Sequence, residues 1–151
     1  MLGAGLVAAT GVALAMLPRH EPAPLPPPTV AKAEALDALP TQVAVIDGGT
    51  LRMRDRVVLL QGVEPPSRDT ASGAAAANAL AALVREAPVV CRVTGADELG
   101  RPYAICRASG TELNRAIVAA GWAHADSPEL RAAEDAAKTE HLGIWSASGA
   151  F

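Results

Sequence analysis

The sequence predicts a small β-barrel carrying helices, and three observations lead there. Short apolar runs separated by glycine, proline and aspartate turns fill the first half of the folded part. Longer stretches with helical spacing follow, giving the order βββ-α-ββ-α-α. Half of the residues are hydrophobic but only 3% are aromatic, so the core should be built from Val, Leu, Ile and Ala, with Trp122 and Trp145 as its largest members. A chain of 151 residues holds one domain of ordinary size and a short appendage.

The appendage comes first. Residues 1–17 form an uncharged apolar run closed by Pro18 and Arg19, the length of a signal-peptide core or a short membrane anchor. Ala13-Leu14-Ala15 offers a cleavage site, and the segment reads equally as cleaved signal or retained anchor. Residues 18–40 hold seven of the twelve prolines, including Pro26-Pro27-Pro28, and read as an extended spacer that holds the domain of residues 41–151 away from a membrane. The expected location is outside the cytoplasm, either exported or anchored.

Within the domain, Val43 to Ile46 is an apolar run stopped by Asp47-Gly48-Gly49; Thr50 to Met53 and Val57 to Val63 then complete a three-strand meander. Pro65-Pro66 ends the third strand. Gly73 to Glu86, alanine-rich with Leu80, Leu83 and Val84 on one stripe, predicts a helix capped by Thr70 or Ser72. Val89 to Val93 and Tyr103 to Cys106 form a hairpin around Asp97 to Gly100. Thr111 to Ala120 predicts a second helix, capped by Thr111 and ended by Gly121. Ser127-Pro128-Glu129 opens a third helix running to Gly143.

The net charge of −3 supplies no basic field for phosphate backbones, which argues against tight nucleic-acid binding while leaving room for a small local site. The three histidines, His20, His124 and His141, show no metal spacing and receive no role. Cys91 and Cys106 are equidistant from the Glu98-Leu99 pair, since 91 + 106 and 98 + 99 both equal 197. In a hairpin centred there they stand opposite one another within bridging range, and a disulfide is expected in an oxidising compartment, with two buried thiols the alternative in a reducing one.

Five segments now resemble one family. Val45 to Leu51 resembles the V-x-D-G-D-T-L motif of the staphylococcal nuclease-like (thermonuclease-like) family, and Leu59 to Ser67 its R-L-x-G-I-D-A-P-E motif. Asp97 to Arg101 is similar to its D-R-Y-G-R hairpin, Leu113-Asn114 with Ile117 to Ala123 to its L-N-x-x-L-V-x-x-G-x-A helix, and Gly143-Ile144-Trp145 to its closing G-L-W. The resemblance implies a five-stranded OB-fold barrel with three α-helices.

It also implies a chemistry against which each position can be compared. Family members cleave phosphodiesters with two calcium-binding aspartates, a water-orienting glutamate and two phosphate-clamping arginines. Here the first metal aspartate falls on Gly49, the glutamate on Ser67 and the first arginine on Leu59. Glu64 stands at the second aspartate and can still bind a hard cation, Asp47 remains at a supporting position, and Arg101 is the one retained clamp. The catalytic candidates are therefore Arg101 and Glu64, and the metal candidates Asp47 and Glu64, with calcium held weakly at most. Lost contacts of this kind are each worth on the order of 3 kcal/mol in the transition state, so together they remove most of the acceleration. Arg52, Arg54, Arg56 and Asp69 are the charged residues near enough in sequence to substitute.

The expectation is a nuclease-like domain of the cell envelope with a degenerate active site, acting as a non-catalytic or weakly active binding module. The alternatives are a calcium-dependent phosphodiesterase acting on DNA or RNA, and a structural partner domain of an envelope complex. The partners these imply are single-stranded nucleic acid or an envelope protein, with the membrane reached through residues 1–17.

Overall fold

A computed structural model describes residues 33–146. The apolar segment 1–17 and most of the proline-rich segment lie outside the described residues. The sheet begins earlier than the sequence suggested, because β1 (Ala35–Ala38) lies within the stretch read as spacer and pairs antiparallel with β6 (Val89–Ala96). Leu36 and Ala38 turn inward, and Arg56 to Glu34 and Arg54 to Asp37 ion pairs tie this segment down. The folded part therefore takes in residues from Glu34 onward, ahead of the Thr41 start expected from the sequence.

A 3-10 turn at Pro40–Gln42 leads to the meander β2 (Val43–Asp47), β3 (Thr50–Met53) and β4 (Arg56–Leu60). Leu51, Met53, Val58 and Leu60 alternate into the core as the two-residue strand period requires. The Val57 to Val63 run is not one strand. Gly62, at φ +73, breaks it, and the short β5 (Val63–Glu64) leaves to pair with β9 (His124–Ala125) in a separate two-stranded sheet.

Helix α1 (Ala71–Val84) is capped by Thr70, whose Oγ1 accepts the Gly73 N–H at 3.0 Å. It buries Gly73, Ala76, Leu80 and Val84, one stripe at helical spacing. Strand β7 (Pro102–Ala108) pairs antiparallel with β6 and parallel with β4, and the main sheet runs β1-β6-β7-β4-β3-β2. Its two edge strands are consecutive segments of chain joined by one 3-10 turn, so the sheet curls back towards itself. With three helices this is the mixed α+β arrangement expected of an OB-like domain.

The second helix starts later than expected. Thr111–Glu112 is a strand, β8, paired with β7 through a Ser109-Gly110 turn whose two residues have φ +49 and +78, the signature of a type I′ hairpin. Thr111 therefore caps nothing, and α2 spans Leu113–Ala119. Gly121, at φ +76, ends it as predicted, with Trp122 N–H returning to the Ile117 carbonyl. Helix α3 (Pro128–Thr139) stops before Gly143, which opens a separate 3-10 turn, Gly143–Trp145.

The core is aliphatic, as the composition indicated, but the tryptophans are not its largest members. Leu51, Leu60, Leu80, Leu113 and Ile117 are fully buried, whereas Trp122 packs against the core's edge. Trp145 is half-buried beside His124 and Lys138, with its indole edge-on to His124.

Cys91 and Cys106 form a disulfide across β6 and β7, with Cα atoms 4.0 Å apart and both residues fully buried. The expected pair is correct, but the hairpin is not the one assumed. Ala96 pairs with Pro102, so the turn is centred on Leu99, and a bulge between Val93 and Gly95 shifts the register back by one. The two offsets cancel at the cysteines. Closing a 15-residue separation stabilises by about 3 kcal/mol in the chain-entropy account.

Candidate active site

The β2–β3 turn, the end of β4 and strand β5 converge on a cleft of about 300 Å³. Gly49, Leu59, Glu64 and Pro65 line it together, so three of the positions compared with the nuclease motifs do share one site. Tyr103 and Asp126 complete its rim.

Gly49 sits where the motif comparison puts a metal-binding aspartate, and a side chain there would press against Pro65. A Cβ on Gly49 would stand 3.0 Å from Pro65 Cδ, 3.1 Å from Pro65 Cγ and 3.4 Å from Val63 Cγ1. The proline ring and the bare glycine are complementary. Asp47 is not on the cleft: its Oδ1 accepts the Gly49 N–H at 2.9 Å and closes the turn. Among the described residues no three His, Cys, Asp or Glu side chains are grouped to hold a metal ion. The family's calcium centre does not fit these residues as they stand, because one donor is missing, a side chain at its position would press on the Pro65 ring, and Asp47 serves the turn.

Leu59 stands beside Tyr103 in the parallel register of β4 and β7, and both line the cleft. The position compared with the phosphate-clamping arginine thus carries an apolar side chain next to a tyrosine in the register. Ser67 is exposed and is not part of the lining; its backbone carbonyl accepts the Thr70 hydroxyl at 2.6 Å, which braces the entry to α1.

Arg101 lies at the tip of the β6–β7 hairpin, in a neighbouring depression that shares only Tyr103 with the cleft. Its Nε donates to Asp97 Oδ2 at 2.7 Å, while its backbone N–H and that of Leu99 donate to Asp97 Oδ1. Desolvation pulls the Asp97 carboxyl upward, but those hydrogen bonds outweigh it and hold the group below its ordinary value. This bracing is complete above the usual carboxylate range and is lost as the pH falls through the lowered value. The Nε and backbone N–H of the retained arginine thus brace its own turn, and Arg101 is not among the residues that line the cleft with Glu64.

Two of the charged residues considered as substitutes are engaged elsewhere. Arg54 pairs with Asp37 and Arg56 with Glu34 at the N-terminal strand, and neither these, Arg52 nor Asp69 lines the cleft. The sequence comparison missed Asp126. It reaches the site because β9 pairs with β5 and the Asp126 N–H donates to the Gly62 carbonyl at 2.8 Å. A two-residue strand leaves no periodic signal that could have placed it.

A model of the staphylococcal nuclease homologue family matches residues 57–147. The match takes in the second, hairpin, helix and closing motifs; the Val45 to Leu51 motif lies ahead of it. No curated protein matches the chain significantly. The matched residues make up more than half of the chain and span its β4 to 3-10 closing segment, and the protein belongs to the staphylococcal nuclease homologue family.

Proposed function

We propose that this chain is a binding module of the cell envelope, built on a nuclease fold whose active site has lost effective phosphodiesterase activity. The observation that carries this reading is the Gly49–Pro65 packing, which leaves no side chain and little room at the first metal position. Leu59 in place of a clamp and Arg101 tied to Asp97 point the same way. The phosphoryl group would meet neither a cation nor a free pair of guanidinium groups, the parts that do most of the work in such a reaction.

Calcium titration by calorimetry tests the metal half of this reading. The unaltered protein is expected to show no saturable calcium binding below about 1 mM, the weak end of extracellular calcium sites. Gly49→Asp combined with Pro65→Ala should gain binding, because the carboxylate then has both its donor atoms and its space. Gly49→Asp alone should gain less, with the ring still in the way. Sub-micromolar binding by the unaltered protein contradicts the reading.

The envelope half rests on the apolar residues 1–17, the proline-rich stretch and the disulfide, since such bonds persist in oxidising compartments. Protein isolated from the envelope without reductant should carry no thiol open to alkylation, as judged by intact mass. Two free thiols would remove this support.

A further inference from the structure

The charge of the cleft is the reverse of what a phosphate-binding site needs. Glu64 and Asp126, both exposed, line it, and among the described residues no lysine or arginine does. Leu59 and Tyr103, neighbours in the strand register, also line it. Gln61, whose side-chain oxygen takes the Thr94 hydroxyl at 3.0 Å, lines this cleft and also a second one of about 300 Å³. There the lining includes Glu112, Glu129, Ile105 and Leu130, again without a basic side chain. Glu112 pairs with Arg107 and Arg115 donates to the Glu129 backbone carbonyl, while the Glu129 carboxyl is held below its ordinary value by its own backbone N–H and then by the Ser127 hydroxyl.

Resting on the reading of a non-catalytic module, we propose that these two clefts form one groove that binds a basic, extended segment of another polypeptide, seating a lysine or arginine side chain in each. The chemistry matches along the length of such a side chain. The aliphatic stem lies on Leu59 in one cleft and on Ile105 and Leu130 in the other, while the cationic head meets Glu64 and Asp126, or Glu129. Tyr103 adds an aromatic face to the first cleft, over which a guanidinium or ammonium is attracted. A polypeptide fits better than a free amine because the carboxylates are divided between two apolar-lined clefts on either side of Gln61, and alternate residues of an extended chain supply cations at separated points. Phosphate groups would be repelled by the same carboxylates.

The test is calorimetric titration of the full chain with a six-residue peptide of alternating arginine and alanine, acetylated and amidated, at low salt. Saturable one-to-one binding is expected, weakened about tenfold in Glu64→Gln/Asp126→Asn. Asp135→Asn/Glu140→Gln removes the same charge from exposed positions outside both clefts and should leave affinity unchanged. Absence of binding, or equal weakening by the two double variants, overturns the proposal. Spermidine saturating the groove at the peptide's concentration assigns it to a free polyamine and overturns the polypeptide occupant. Oligothymidylate bound in a Glu64-dependent way overturns it as well. A cleavage assay on the same samples separates the two readings: calcium-dependent hydrolysis sinks the non-catalytic module itself, whereas no hydrolysis with no peptide binding sinks the groove alone.

Discussion

Replacing Asn114 by leucine, a side chain of similar size, is expected to destabilise the domain by about 4 kcal/mol, enough to unfold much of a marginally stable protein. Asn114 is 1% exposed, and its side chain is a complete hydrogen-bonding unit. The Oδ1 atom accepts the Cys106 N–H at 3.0 Å, and Nδ2 donates to the carbonyls of Gln61 and Ala104, each at 3.0 Å. These groups lie where β4 ends its short parallel pairing with β7 and can no longer satisfy the neighbouring strand. The Ala104 carbonyl keeps a second donor, the Gln61 N–H, so the loss falls on the Cys106 N–H and the Gln61 carbonyl. Each buried group left unpaired costs about 1–3 kcal/mol, and the lost hydrogen bonds themselves add to that. Chemical denaturation should show the midpoint falling with little change in slope. A loss under 1 kcal/mol would mean that β4 and β7 are held together by other means.

Gly121→Ala is expected to cost a similar amount, about 4 kcal/mol, from two independent causes. At φ +76 the residue lies where a side chain is disfavoured. A Cβ there would also stand 2.3 Å from the Leu142 carbonyl oxygen and 2.6 Å from its carbon, and that backbone has little freedom to retreat. Gly143, at φ +52, faces Gly121 in the same way, and the Ile144 N–H donates to the Gly121 carbonyl at 2.8 Å. The end of α2 and the closing 3-10 turn are therefore locked backbone to backbone. Thermal unfolding of Gly121→Ala beside Gly110→Ala separates the causes, because Gly110 has φ +78 but open space around its Cβ. The Gly110 variant should lose only the conformational share; equal losses would show that packing at Gly121 contributes nothing.

Both residues could be singled out from the chain because they fall in a family motif, but their physical roles could not. The main elements were legible wherever a periodic apolar pattern ran for a full turn or several strand residues, as in α1, β3 and β6. The short pairings were not: β5, β8 and β9 have two residues each and owe their existence to partners distant in sequence. β1 was hidden in a proline-rich neighbourhood, with only Leu36 and Ala38 to mark an inward face. The disulfide was found through a hairpin centre half a residue away from the real one, rescued by a bulge that no local signal marks.

The site divides along the same line. Missing side chains at Gly49, Leu59 and Ser67 can be read from the chain alone, because an absent group needs no geometry. What occupies the vacated space needs coordinates. Pro65 against Gly49, Tyr103 beside Leu59, and Asp126 carried in by β9 are all tertiary contacts. Arg101 illustrates the reverse case: the retained residue suggested surviving function, yet its Nε and backbone are used by Asp97 within its own hairpin.

The most direct measurement is hydrolysis of single-stranded DNA and RNA by the purified protein, titrated with calcium and run beside an active family member. Cleavage indistinguishable from background at every calcium concentration is the predicted result. Calcium-dependent turnover within about a hundredfold of the active enzyme, the loss expected from removing a single electrostatic contact, would contradict it.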